Sequence, residues 1–223
     1  MLIGRTIIKE QFKMNIKIEN YNKSIRKSKV LRDVNLSLAS GTIYGLKGIN
    51  GSGKTMLMRA ISGLILPTSG RVLIDDKEIG RDIAFPPSIG MLLENPAFIG
   101  YRTGKDNLKL IASIQNKISD EEIVKALKMV GLDPEDKRTY RKYSLGMKQR
   151  LGIAAAIMGS PELVILDEPM NALDESAMEL VRSAINELKN NGSLVIIACH
   201  DRSILESLAD IIYTINEGQI IDE

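Results

Sequence analysis

Aromatic residues, cysteine and histidine are scarce in this 223-residue sequence. It contains no tryptophan, three phenylalanines, one cysteine and one histidine. The single cysteine, Cys199, excludes a disulfide within the chain and is consistent with a reducing compartment. Because Cys199 ends an apolar run, we expect it to be a small buried hydrophobic residue rather than a nucleophile.

Long apolar runs and an excess of one charge are also missing. No stretch approaches the ~18 apolar residues of a membrane helix, and the best runs, Leu163–Leu166 and Leu194–Cys199, have strand length. The 30 basic and 28 acidic residues leave a net charge of +2, which does not indicate nucleic acid as a partner. Residues 1–13 lack the apolar core of a signal peptide. We interpret them as an N-terminal extension before a domain spanning residues 14–223.

The most informative stretch is Gly48–Thr55, which fits the phosphate-binding loop pattern GxxxxGK[ST]. Its glycines let consecutive backbone N–H groups point at phosphate oxygens. We expect Lys54 to reach the β- and γ-phosphates and the Thr55 hydroxyl to ligate Mg²⁺. A strand-like segment precedes the loop and a helix-like segment follows it, as this motif requires. The nucleotide-binding residues predicted here are Gly48, Asn50, Gly51, Ser52, Gly53, Lys54, Thr55 and Met56.

The segments around this loop predict an antiparallel β sub-lobe near the N-terminus. Apolar and polar residues alternate over Asn15–Asn20 and Val30–Leu38, a pattern typical of half-buried strands. We interpret the segment between these strands as a solvated basic turn containing Lys23, Arg26, Lys27 and Lys29.

The second half of the chain predicts an α/β fold. Residues from about 96 to 159 have a helical pattern, including a capping box at Ser119–Glu122, and form a predicted helical sub-lobe. Strands alternate with helices, which indicates a mostly parallel sheet with helices on both faces. The strands predicted to be buried in this sheet are Ser88–Leu93, Leu163–Leu166 and Ser193–Cys199.

Two carboxylates, Asp167 and Glu168, directly follow the apolar run Leu163–Leu166. Phosphoryl transfer assisted by Mg²⁺ needs one carboxylate to hold the metal and one group to orient the attacking water. Asp167 suits the first role and Glu168 the second. Alone, two acids at a strand end more often cap a helix or are solvated. The phosphate-binding loop upstream favours the catalytic interpretation.

With these features in place, the chain from Asn15 onward resembles the nucleotide-binding domain of ATP-binding cassette (ABC) transporters, a P-loop NTPase fold. Tyr143–Leu151 resembles the family's signature motif, and Asn171–Asp174 resembles its D-loop. His200 follows an apolar strand, as the family's switch histidine does. Glu94 occupies the position of the Q-loop glutamine.

The resemblance implies an ATPase that uses ATP and Mg²⁺. It implies a head-to-tail dimer with a second copy or a homologous subunit, a separate integral membrane permease, and a location on the cytoplasmic face of the cell membrane. It implies no nucleic-acid partner. The residues to which it gives roles are Lys54, Glu168 and His200 in catalysis, Thr55, Asp167 and Glu94 at the metal, and Ser144, Gly146, Glu94 and Asp174 at the nucleotide or dimer interface.

The sequence also departs from the family's pattern. Glu94 replaces a glutamine, and a carboxylate can ligate Mg²⁺ but cannot donate an amide hydrogen bond. Ile25 stands where the family has an adenine-stacking aromatic residue, while Tyr21 is the nearest aromatic but out of register, so weak nucleobase selectivity is expected. The signature has Tyr143, Leu145 and Met147 in place of the common residues. These substitutions resemble the drug-, bacteriocin- and antibiotic-export branch, which favours an exporter.

Two other functional classes fit parts of the sequence. One is a non-transport ABC ATPase of DNA repair or translation, but such proteins usually have paired cassettes, a coiled-coil insertion or zinc cysteines. The other is a P-loop kinase for small molecules, which would leave Ser144, Gly146 and His200 unexplained.

Overall fold

The computed structural model describes residues 14–115 and 118–221, so the predicted extension over residues 1–13 lies outside it. The strands of this part of the chain are β1 (Asn15–Ile25), β2 (Ser28–Ala39), β3 (Ile43–Lys47), β4 (Ser69–Ile74), β5 (Lys77–Glu78), β6 (Ile89–Leu92), β7 (Leu163–Asp167), β8 (Leu194–Cys199), β9 (Ile211–Asn216) and β10 (Gln219–Ile221).

The helices are α1 (Lys54–Ile61), α2 (Gly104–Gln115), α3 (Asp120–Met129), α4 (Leu145–Ile157), α5 (Glu175–Asn190) and α6 (Arg202–Leu208). A short 3₁₀ turn, Tyr140–Lys142, precedes α4. None of the helices within residues 14–115 and 118–221 could span a membrane.

The central sheet has six strands in the order β10-β9-β3-β8-β7-β6. Its neighbours from β9 to β6 are parallel, and only β10 pairs antiparallel with β9. A second, antiparallel sheet has the order β2-β1-β4-β5. Both sheets confirm the α/β fold and the antiparallel β region predicted from the sequence.

Alternate side chains of β7 divide the apolar core into two parts. Leu163 and Ile165 pack with α1 and the antiparallel sheet, whereas Val164 and Leu166 pack with α4 and α5. Strand side chains alternate between the two faces of a sheet, and a parallel sheet buries both faces. The helices therefore cover both faces, as predicted.

Two local predictions were wrong. The basic segment is not one solvated turn, because β1 and β2 extend until only Arg26 and Lys27 form the turn between them. Lys23 and Lys29 therefore lie in strands. The strand predicted at Ser88–Leu93 is an edge strand whose only fully buried residue is Leu92, because no strand covers its outer side in the described sheet.

The helical region is anchored to the central sheet through α4. The predicted capping box is present, with Ser119 accepting from the Glu122 N–H and Glu122 accepting from the Ser119 N–H. Helix α4 also packs on β6 and β7. At this contact a Cβ added to Gly90 would overlap the Ala156 carbonyl, so only glycine allows α4 to lie this close to β6.

We predict that Gly90→Ala destabilises the fold by about 3 kcal/mol or more, since the added methyl group must displace α4. A loss of this size lowers the Tm of a chain of this length by roughly 6–12 °C. The matched control is Gly100→Ala, whose added Cβ would lie 3.8 Å from its nearest neighbour, on Arg141. Thermal unfolding followed by circular dichroism measures both. Equal Tm values for the two variants would contradict the packing argument.

Candidate nucleotide-binding site

Two of the three sequence-predicted catalytic residues, Lys54 and Glu168, line one cleft of about 650 Å³ at the C-terminal edge of the central sheet. The third, His200, is not part of that lining and contacts Glu168. The phosphate-binding loop follows β3, Asp167 ends β7, and Glu168 comes directly after it. In parallel sheets, ligands bind outside the carboxyl ends of the strands. The cleft is therefore where the fold class places a substrate.

The phosphate-binding loop is shaped by its glycines. Gly51 and Gly53 have φ angles of 81° and 115°, a region that favours glycine. A Cβ on Gly48 would overlap the Ile215 carbonyl. The loop ends at the N-terminus of α1, which is electropositive and directs backbone N–H groups toward the cleft.

Lys54 and Ser52 provide polar groups inside this loop that can bind an anion. Lys54 is buried, with 6% of its surface exposed, and its ammonium donates to the carbonyls of Gly48 (2.5 Å) and Ile49 (3.2 Å). The buried Ser52 Oγ has no hydrogen-bond partner within the described residues. A buried cation and an unsatisfied hydroxyl beside a helix N-terminus fit the phosphates of a nucleotide.

Thr55 and Asp167 form a second polar pair in the cleft. The Thr55 Oγ1 donates to Asp167 Oδ2 at 2.7 Å. Burial raises the pKa of Asp167 above its ordinary value, although the Thr55 hydrogen bond opposes that rise. A hydroxyl beside a buried carboxylate is a suitable set of hard oxygen donors for Mg²⁺, which would favour the charged carboxylate.

Glu168 and His200 are brought together by the neighbouring strands β7 and β8. The His200 Nδ1 lies 2.9 Å from Glu168 Oε2. Glu168 has a φ of 48°, and its N–H donates to the Ala198 carbonyl at 2.9 Å. The carboxylate is thus held at the edge of the cleft, in contact with the one histidine of the sequence.

Gln149 of α4 is a site residue that the sequence reasoning missed. It is buried, and its Nε2 donates to the carbonyls of Glu168 (3.0 Å) and Pro169 (3.3 Å). It also lines the cleft. Its position in an apolar, buried helix was the available signal, since a buried amide needs polar partners.

The predicted Q-loop residue, Glu94, lines the cleft but has a partner that the sequence did not reveal. Arg59 of α1 donates from Nη2 to Glu94 Oε1 at 2.5 Å. Thr55 donates its hydrogen bond to Asp167 and not to Glu94. The negative charge of Glu94 contributes to the raised pKa of Asp167.

Ser144, Gly146 and Asp174 lie outside this cleft in the described structure. Ser144 is an exposed N-cap of α4 and accepts from the Met147 N–H at 3.2 Å. Asp174 caps α5 by accepting from the Ala177 N–H at 2.8 Å. Gly146 allows close approach of the Asn171–Asp174 loop, because an added Cβ would lie 2.7 Å from the Ala172 carbonyl.

One wall of the cleft includes Lys29, which the sequence reasoning assigned to a solvated turn. Lys29, Val30 and Arg32 of β2 line it, together with Gly218 of the β9–β10 turn. Tyr21 cannot reach a nucleobase here, because it is fully buried and its hydroxyl donates to the Ile65 carbonyl at 3.2 Å. That burial raises the pKa of Tyr21 to about 12.

Ile25 is the residue at the expected stacking position. It is 42% exposed at the end of β1 and pairs with Ser28, which lines the cleft. An aliphatic residue next to a cleft-lining residue therefore occupies the position where the resemblance implies an aromatic ring.

Comparison with known proteins assigns the family. The sequence model of the family described as ABC transporter matches residues 31–171, which is more than half of the chain. The chain is 41% identical over 205 residues to an uncharacterized ABC transporter ATP-binding protein, YybJ of Bacillus subtilis, covering 92% of this chain and 94% of that protein. This protein therefore belongs to the ABC transporter family and is an ATP-binding subunit.

Two relatives with assigned substrates are similarly close. The bacitracin transport ATP-binding protein BcrA of Enterococcus faecalis is 40% identical, over 93% of this chain and 68% of that protein. The lantibiotic transport ATP-binding protein SrtF of Streptococcus pyogenes is 39% identical, over 93% and 90% respectively.

Solved structures agree on the fold. The ATP-binding subunit of an ABC transporter superposes with a TM-score of 0.82 at 25% identity, covering 92% of this chain and 87% of that one. A dimeric bacterial ABC transporter cassette gives a TM-score of 0.84 at 23% identity, covering 93% and 97%.

We predict that Ile25→Tyr tightens ATP binding. A ring stacked on a base contributes about 1–3 kcal/mol, so the Kd should fall by about fivefold or more. Isothermal titration calorimetry with the nucleotide-free protein measures the change, and Ile25→Leu is the matched control.

Tyr21→Phe gives the complementary result. It removes only the hydroxyl donated to Ile65, so stability should fall by about 1 kcal/mol while the Kd for ATP is unchanged. Weaker ATP binding by Tyr21→Phe, with no change in Ile25→Tyr, would contradict the conclusion that the nucleobase lies near Ile25 and not near Tyr21.

Proposed function

We propose that this chain dimerises on ATP, hydrolyses it with Mg²⁺, and drives a separate integral membrane permease that exports antibiotic peptides. The observation that carries the proposal is the meeting of Lys54, the Thr55–Asp167 pair and the Glu168–His200 pair at one edge of the central sheet. These are the groups that phosphoryl transfer to water requires.

Each group has a distinct chemical role in this proposal. Lys54 and the loop N–H groups bind the β- and γ-phosphates, for which the buried Ser52 hydroxyl supplies a further donor. Thr55 and Asp167 would hold Mg²⁺, which would supply positive charge to neutralise the phosphates. Glu168 accepts a proton from the attacking water, and His200 contacts the γ-phosphate and holds the Glu168 carboxylate in place.

The signature residues support a site shared by two copies. Ser144 is exposed at the N-terminus of α4, and the adjacent Leu145 is 68% exposed. A helix N-terminus attracts anions, so the α4 start of one copy can complete the phosphate site around Lys54 of the other. A solved cassette of the same fold is described as dimeric.

The permease and the export function rest on relatives. Two of them are named for bacitracin and lantibiotic transport. A partner of this kind would place the protein on the cytoplasmic face of the membrane. The near-neutral net charge of +2 does not favour nucleic acid as a partner, and the comparisons do not favour the repair, translation or kinase alternatives.

Glu168→Gln tests the proposal. The amide keeps the shape of the side chain but cannot accept the proton, so we expect ATP turnover to fall by about 100-fold or more. ATP binding remains, and an ATP-bound dimer should accumulate. Phosphate release and size-exclusion chromatography with light scattering measure the two effects.

The matched control is Glu162→Gln, which changes a carboxylate just before the opposite end of β7. It should retain turnover and remain monomeric after ATP is consumed. Undiminished turnover in Glu168→Gln, with no trapped dimer, would refute the proposed mechanism.

A further inference from the structure

The one cysteine and the one histidine of this sequence are adjacent, at the end of β8. In the neighbouring strand β7, Asp167 pairs with Ala198, so Glu168 lies beside Cys199 and His200. One donor atom from each of Glu168, Cys199 and His200 lies within 4.8 Å of the other two. Three different types of metal ligand thus meet, and two of them, cysteine and histidine, occur only once in the sequence.

This set of donors differs from the proposed Mg²⁺ pair. Thr55 and Asp167 offer only oxygen atoms, which suit hard cations. The second cluster offers sulfur, nitrogen and oxygen, which suit Zn²⁺ and other borderline or soft divalent cations in tetrahedral geometry. The donors lie within 4.8 Å of one another, and metal–ligand bonds are about 2.0–2.3 Å long, so one ion can contact all three after small side-chain movements.

We propose that Glu168, Cys199 and His200 form an inhibitory binding site for a thiophilic divalent cation of the zinc type. The ion would occupy the carboxylate and the imidazole that hydrolysis needs. The inhibition rests on the proposed roles of Glu168 and His200, whereas binding of the ion does not.

The exposure of the three side chains and the position of Asp201 both support a metal site here. The His200 and Glu168 side chains are 61% and 21% exposed, and the buried Cys199 forms the base. The fourth ligand position can therefore be filled by water. The Asp201 carboxylate does not compete for the ion, because it caps α6 by accepting from the Ser203 and Ile204 N–H groups.

The charges of the site also favour a divalent cation. An ionised Glu168, a Cys199 thiolate and a neutral His200 carry two negative charges in total, which one dication neutralises. The ion must displace the thiol proton, and burial together with the nearby Glu168 carboxylate raises the pKa of Cys199 to about 11.

Cobalt binding to the nucleotide-free full chain tests the site directly. Co²⁺ is a spectroscopic substitute for Zn²⁺, and a thiolate ligand produces a charge-transfer absorption. Since the sequence has one cysteine, such a band reports Cys199 alone. We expect the band in the unmodified protein, its loss on adding Zn²⁺, and its absence in Cys199→Ser and Cys199→Ala.

ATP turnover in excess Mg²⁺ then tests inhibition. Micromolar Zn²⁺ should inhibit the unmodified protein, and a zinc-selective chelator should reverse it. Cys199→Ala should keep its basal turnover, while its half-inhibitory Zn²⁺ concentration rises by about tenfold or more through loss of one ligand. If Cys199→Ser proves unstable because its hydroxyl is buried, Cys199→Ala can be used alone for both the Co²⁺ absorption and the Zn²⁺ inhibition experiments.

Either of two results would overturn the proposal. One is no charge-transfer band with Co²⁺ in the unmodified protein. The other is equal Zn²⁺ inhibition of the unmodified protein and Cys199→Ala. Cobalt binding without any Zn²⁺ effect on turnover would refute the inhibitory role. The absence of ATPase activity would count against the proposed function and would leave the cobalt experiment valid.

Discussion

Parallel pairing of β3 with β8, and of β8 with β7, brings three strand ends to one edge of the central sheet. In this register Lys47 lies beside Cys199, and Asp167 lies beside Ala198. The residues that follow each strand therefore lie together at this edge, although their sequence positions span 152 residues, from Gly48 to His200 (200 − 48). The phosphate-binding loop, the two carboxylates and His200 depend on that register for every contact between them.

The same arrangement buries charged and polar groups that do not find all their hydrogen-bond or ion-pair partners within the protein. Among the described residues, the Lys54 ammonium donates only to loop carbonyls and the Ser52 hydroxyl has no partner, while burial raises the pKa of Asp167. Buried polar groups without partners are costly, so a ligand that supplies phosphate oxygens and a cation removes several of these costs together. The cleft is thus arranged to bind its ligand, and this arrangement lowers the stability of the ligand-free protein.

Local patterns revealed the parts of the site that are contiguous in sequence. The loop Gly48–Thr55 and the carboxylates after β7 were predicted because residue type and spacing carry their chemistry. Contacts between distant segments were not predictable in this way. The Arg59–Glu94 ion pair, the carbonyl contacts of Gln149 and the Arg32 side of the cleft arise from tertiary packing. The alternation of apolar and polar residues along β1 likewise could not show that Tyr21 faces the core.

The central claim is that each ATP site is completed by a second copy, and mixing two inactive variants tests it most directly. Lys54→Ala removes the phosphate side, and Ser144→Arg blocks the signature side. In a mixed dimer, one site carries both changes and the other carries neither. An equal mixture should therefore recover about a quarter of the unmodified turnover, given random pairing. No recovery on mixing, or full activity of either variant alone, would contradict the shared site.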